Sequence, residues 1–264
     1  MDIHKLIDLT RFPIAEQREH KYRVFLARCQ KRLARDGSVV LEGFTTKLGT
    51  QCLRNEASQW LDRAYYCAVS HNCFLTPQDP AFADHHPRNY QLLNNKGGIA
   101  DDQIPDEADL RKIYDWPMLR CFLADLLGYK ALYPMADTLS SLNVNVHQPG
   151  QVQGWHFDGA PFAVTLMLQS TIKGGQFEYV PDLRDAHSVN YQAIGAVLKG
   201  ERADVRTLQI GDGTLVIFKG HHSLHRVSAP EEKSRINAIL SFSPRPGVRL
   251  DPHTQRTFYG RTSP

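Results

Sequence analysis

Between residues 141 and 243 the chain is cut into short apolar or alternating runs separated by turns, and this rhythm restricts the fold more than any other feature. Ser141-Leu142-Asn143-Val144-Asn145-Val146-His147 alternates polar with apolar residues, the period of a strand with two unlike faces. Leu142, Val144 and Val146 then share one side, and Asn143, Asn145 and His147 the other. Further strands are expected at 153–159, 162–169, 174–180, 207–209, 215–218, 224–227 and 235–243, with a helical insertion over 188–199. About eight short strands of this kind predict a mainly β fold with flanking helices, a double-stranded β-helix (jelly-roll or cupin-like) enclosing a site between two sheets.

Two helices precede the roll. Residues 15–36 carry Tyr22, Phe25, Leu26, Cys29 and Leu33 on one stripe, and 48–69 carry Leu53, Ala57, Trp60, Leu61 and Ala64. Residues 106–128 read as a helix pair split at Trp116-Pro117, since proline disfavours helix for its predecessor. Between them, residues 72–106 are rich in Pro, Gly, Asn and Asp and read as a binding loop or lid, bringing Arg88 to a substrate. All 264 residues fit one domain: 1–130 as a mostly helical layer and lid, 131–245 as the roll, 246–264 as a C-terminal arm.

The chemistry is concentrated in Gln153-Gly154-Trp155-His156-Phe157-Asp158-Gly159 and His225-Arg226-Val227. His156 and Asp158 are two residues apart, so an extended backbone projects them to the same side. His225 on a later strand supplies a third ligand. Two imidazoles and one carboxylate on one face of an ion, with positions left open, is the ligand set of non-haem Fe(II) oxygenases. A bare His-x-Asp means little in a chain with 12 histidines. Its place before a strand–turn–strand closed by His225, with Arg235 ten residues later, makes it specific. Arg235 offers a planar fork suited to a carboxylate. The alternative, a cupin-like barrel bearing these side chains on its surface, is opposed by the agreement of four elements in type and order.

That order resembles the Fe(II)/2-oxoglutarate-dependent dioxygenase superfamily. The resemblance implies iron on His156, Asp158 and His225, with 2-oxoglutarate anchored by Arg235. Asn145 and Asn237 are expected beside the cofactors, and Gln153 and Asn143 beside the substrate. The opening (Ile7-Asp8-Leu9, Asp36-Gly37, Val40 to Phe44), the Trp155-His156-Phe157 lead-in and the His225-Arg226-Val227 close are similar to the BesD-like family of free-amino-acid halogenases and hydroxylases. Halogenases of that family have glycine where this chain has Asp158, so the resemblance implies hydroxylation of an amino acid or similar polar molecule. Its carboxylate is expected on Arg88, and its amine on Asp137, Glu178 or another acid. Gln153 and Gly159 stand where lysine-specific members carry other polar or charged residues. Desaturation, cyclisation, a protein or peptide substrate and a non-catalytic metal sensor are the competing readings; Arg235 argues against the last.

Composition removes other classes. A net charge of +3 with mixed signs gives no basic stripe for nucleic acid. Damaged-base demethylases carry a further arginine shortly after the one at 235, and here Ser241 stands instead. No apolar run approaches the roughly 20 residues that span a bilayer, and residues 1–5 lack a signal-peptide core; a cytoplasmic enzyme follows. Five cysteines without a Cys-x-x-Cys pair read as free thiols rather than a zinc knuckle or a disulfide framework.

Overall fold

The computed structural model describes residues 1–263. Two antiparallel sheets face each other. The larger runs Ser38–Leu41, Leu215–Phe218, Ala163–Gln169, Arg235–Leu240, Leu142–His147, Gly97–Ile99 and Tyr65–Tyr66. The smaller runs Arg206–Leu208, Phe177–Val180, Leu224–Val227, Gln153–His156, Leu92–Asn94 and Val69–His71. This is the jelly-roll core expected from the strand rhythm, with a two-stranded ribbon of Tyr133–Pro134 and Phe242–Ser243 beside it.

The alternation in Leu142–His147 decides what each face meets. Leu142, Val144 and Val146 join one apolar cluster with Leu166, Leu215, Ile217, Ala238 and the N-terminal helices. Asn143 and Asn145 face inward and line the space between the sheets. Helix His20–Asp36 buries Tyr22, Phe25, Cys29 and Leu33, and ends where Gly37 adopts φ 68° and its N–H returns to Leu33 O. Asp109–Asp115 and Pro117–Leu127 break at Trp116-Pro117 as expected, and Phe122 stacks on Phe25 with centroids 5.6 Å apart. The outer face of the smaller sheet is covered by Tyr191–Leu198, which packs Ile194 and Val197 on Trp155, Phe157 and Leu224.

Two expectations require correction. The helix expected over 48–69 spans only Lys47–Ser58. After a short 3-10 turn at Leu61–Arg63, the chain supplies two edge strands, because Tyr65, Tyr66 and Val69 gain more from pairing at the sheet edges than from a helical stripe. The lid expected over 72–106 is a loop only to about Tyr90. Leu92–Asn94 then pairs into the smaller sheet and Gly97–Ile99 into the larger, so the chain changes sheet within Asn95-Lys96. Gly97 is required there: a Cβ would lie 2.7 Å from the Tyr66 ring. The C-terminal arm forms helix Pro252–Tyr259, capped by Asp251, against the Tyr65–Tyr66 and Gly97–Ile99 strands. No described helix is long and apolar enough to cross a membrane.

Candidate metal centre and its cavity

His156 ends the Gln153–His156 strand, and His225 lies directly across on Leu224–Val227. Asp158 follows just past the strand end, where its N–H donates to Gly220 O at 3.0 Å. Its Oδ1 is 3.6 Å from His156 Nε2 and 3.4 Å from His225 Nε2. The three ligand atoms all lie within 4.8 Å of one another. Donors about 2.1 Å from one octahedral ion stand roughly 3 Å apart, so the group is one small contraction from a facial set. Among the described residues no other His, Cys, Asp or Glu cluster has this geometry, Cys67, His71 and Cys73 included, and all five cysteines are free thiols.

The surroundings put His156 and Asp158 in the form a metal needs. His156 Nδ1 meets Gly154 O at 2.8 Å and His225 Nδ1 meets Ser223 O at 2.9 Å. Both Nδ1 atoms therefore carry the proton, and both Nε2 lone pairs face the common point. The Gln153 amide nitrogen, 3.1 Å from His156 Nε2, donates to that lone pair. Burial, reinforced by His225, drives the His156 pKa down to about 3, so the ring is neutral. Burial would raise the Asp158 carboxyl, but His225, His156 and Arg184 outweigh it and hold it below the usual carboxylate range. Neutral imidazoles and an ionised carboxylate are the metal-binding states.

A second layer fixes Asp158. Arg184 donates to Asp158 O at 3.0 Å and also to His221 O, with its guanidinium 4.3 Å above the Phe157 ring. Asp158 Oδ2 is buried with no hydrogen-bond partner. It has room only because residue 220 is glycine: a Cβ there would lie 1.8 Å from it. Phe177 and Phe218 flank His225 at 5.4 and 5.0 Å and screen it from water.

A cavity of about 250 Å³ opens beside the three ligands. Arg235, 3% exposed, reaches it from the larger sheet. Its Nε has no hydrogen-bond partner, and no acid pairs with it among the described residues. Burial alone pulls its pKa to about 10. An uncompensated buried guanidinium is costly, and a carboxylate ligand would relieve that cost. Asn143, Asn145, Asn237 and Gln153 also line the cavity, and Asn237 Oδ1 is buried and unpaired. Gln153 and His156 share its wall although three residues apart, because the ladder between the Gln153–His156 and Leu224–Val227 strands is irregular at that point.

Three expected substrate contacts lie elsewhere. Arg88 does not line the cavity: its guanidinium stacks 5.3 Å over Phe74, 3.9 Å from Asp79. Asp137 is committed to structure, accepting from the Leu139, Ser140 and Leu250 N–H groups and the Ser140 hydroxyl. Glu178 is likewise engaged, by Arg202 and Arg226, and does not line the cavity. Sequence reasoning missed His71, Asn94, Lys96, Phe258 and Tyr259, which do line it. Lys96 sits in Asn94-Asn95-Lys96-Gly97-Gly98, whose composition imitates a solvated turn and whose only clue is a lone cation.

Comparisons agree with this architecture. The structure is similar to SnoK, a non-haem alpha-ketoglutarate-dependent carbocyclase from nogalamycin biosynthesis (TM-score 0.57, 14% identity, 90% of this chain and 92% of that one). It is also similar to an oxidoreductase of the 2OG-Fe(II) oxygenase family from Burkholderia pseudomallei (0.53, 13%, 85% and 93%). A third is the epimerase SnoN in complex with Fe3+, alpha ketoglutarate and nogalamycin RO (0.51, 17%, 82% and 83%). At such identities the likeness establishes a shared fold. No curated protein matches the sequence. The halogenase D family model covers residues 22–245, from the first long helix through the last strand of the roll, and the chain therefore belongs to that enzyme family.

Proposed function

We propose that this protein is a non-haem Fe(II)/2-oxoglutarate-dependent oxygenase that hydroxylates an unactivated C–H bond of a free amino acid or similar polar small molecule. One observation carries the reading: three metal-competent ligands and a buried, acid-free guanidinium share a single cavity. His156, Asp158 and His225 would hold the metal, and Arg235 one carboxylate of the keto acid. Bound iron supplies dioxygen activation: one oxygen atom enters 2-oxoglutarate, giving succinate and CO2, and the other enters the substrate C–H bond. The chain's own residues fix the imidazole tautomers through Gly154 O and Ser223 O, aim Asp158 through Arg184, and exclude water with Phe177 and Phe218.

Asp158 favours hydroxylation over halogenation. Its Oδ1 occupies the third ligand position, and Gly220 leaves space for the whole carboxylate, so a halide has no seat there. The deciding experiment supplies Fe(II), 2-oxoglutarate, O2 and chloride with a panel of amino acids and related small acids, following succinate and product mass. A product heavier by one oxygen, with succinate in equal amount, is expected. A chlorinated product, or loss of two hydrogens without gain of oxygen, would overturn the hydroxylase reading; absence of any 2-oxoglutarate turnover in iron-loaded protein would overturn the oxygenase reading itself.

A further inference from the structure

Lys96 stands where the chain crosses from one sheet to the other, and it is 9% exposed. Its Nζ lies 2.5 Å from Asn145 Oδ1 and 5.4 Å from the Phe258 ring centroid. No carboxylate pairs with it among the described residues, and the one acid lining the cavity, Asp158, is a metal ligand. Burial brings its pKa down to about 8.

Lys96 and Arg235 are separate seats. Arg235 is the register partner of His147, and Lys96 directly precedes Gly97, the partner of Val146, on the other side of the same strand. Their backbones are thus two strand spacings apart, roughly 9–10 Å. Burial holds the His147 pKa well below its usual value, and Arg235 and Lys96 on either side lower it further. In the loaded site the ferrous ion, Asp158, Arg235 and a doubly charged keto acid cancel. Lys96 is left as one buried positive charge, and a buried charge calls for a counter-ion.

Resting on the oxygenase reading above, we propose that Lys96 receives the carboxylate of the substrate, and that the substrate is a small monocarboxylate with an uncharged tail. An ammonium tail finds no free acid in this cavity, since Asp158 belongs to the metal and Glu178 and Asp137 lie outside the lining. The tail instead meets Phe258, Val216 and Ile239.

The test uses the full chain loaded anaerobically with Fe(II) and 2-oxoglutarate. Neutral-tailed 2-amino and 2-hydroxy acids are titrated beside their primary amides and beside lysine, following the iron's ligand-field absorption. At least one acid is expected to shift the spectrum, with its amide and lysine at least tenfold weaker. Lys96→Met should weaken the responding acid at least tenfold and leave 2-oxoglutarate binding within about twofold, while Lys96→Arg recovers part of the response. An amide equal to its acid, a preference for lysine, or no acid responding at all overturns the proposal. So does Lys96→Met losing 2-oxoglutarate as severely as Arg235→Met, which would make Lys96 a second keto-acid anchor. If Lys96→Met fails to fold, as read by its melting curve, the wild-type comparison of acid, amide and lysine decides alone. Wild-type protein that binds neither Fe(II) nor 2-oxoglutarate refutes the oxygenase reading, a result distinct from all of these.

Discussion

Single side chains here are paired or left unpaired according to what the site has still to receive. Glu178, Asp137 and Arg184 have their hydrogen bonds within the protein. Arg235 and Asp158 Oδ2 do not, although both are buried. An unpaired buried charge lowers the stability of the ligand-free protein, so Arg235→Met should raise the unfolding free energy without ligand by on the order of 1–3 kcal/mol, and the melting temperature with it. The same change should weaken 2-oxoglutarate by roughly 30- to 150-fold, about 2–3 kcal/mol. Melting curves and anaerobic titration separate the two effects; a variant less stable without ligand would show that the guanidinium is structurally satisfied. Residue 220 gives a second prediction. Gly220→Ala would place a methyl group where Asp158 Oδ2 now lies, and metal affinity should fall about 10- to 100-fold while the fold persists. Equilibrium dialysis against Fe(II) or Co(II) reads it, with circular dichroism as the control.

At the scale of elements, the smaller sheet must hold the strands of His156 and His225 in register. Arg226, next to His225, lies 4.8 Å over the Trp155 ring next to His156 and donates to Glu178 Oε2 at 2.6 Å. Glu178 is thereby tied across three adjacent strands. Its burial would raise the carboxyl, but Arg202 and Arg226 outweigh this and hold its pKa below the ordinary value. The sign follows directly: the folded state binds this proton less readily than the unfolded chain. The pair's contribution is complete above the unfolded pKa of about 4.3 and fades as pH falls through the lower folded value. Glu178→Gln should therefore cost on the order of 1–2 kcal/mol at pH 7, discounted for the partly exposed arginines, and the difference from wild type should shrink toward pH 3. Urea midpoints across that range measure it; a constant gap would mean the loss is one of packing.

The whole molecule divides its two sheets between two tasks. The smaller carries the candidate metal ligands on its inner face; the larger, braced by the N-terminal helices, carries Arg235 and the asparagines. The C-terminal helix closes the space with Phe258 and Tyr259. Because the three candidate ligands lie on segments far apart in sequence, a divalent ion that binds them only in the folded state would stabilise the entire roll. At a hundred times its Kd the gain is about 2.7 kcal/mol. For a chain of this size that is roughly 5–10 °C in melting temperature, reversed by a chelator. The gain should vanish in Asp158→Ala, and differential scanning fluorimetry with Co(II) in place of Fe(II) checks it.

Much of this was legible in one dimension because it rests on local periodicity. Alternation separated Leu142, Val144 and Val146 from Asn143 and Asn145, the His156-x-Asp158 spacing marked the ligand pair, and Gly37, Pro117 and Gly128 marked helix ends. Residue type and order alone thus determined a jelly roll with flanking helices and named eight of the side chains that line its central cavity. Only the tertiary structure decided which of the remaining polar residues face the cavity. It turned Arg88 onto Phe74, engaged Asp137 with backbone N–H groups, folded the chain end into a lid helix, and buried Lys96 at a change of sheet. The physical reason is range: a side chain's face on a strand is set by its neighbours in sequence, whereas its partner and its exposure are set by strands that arrive from anywhere in the chain.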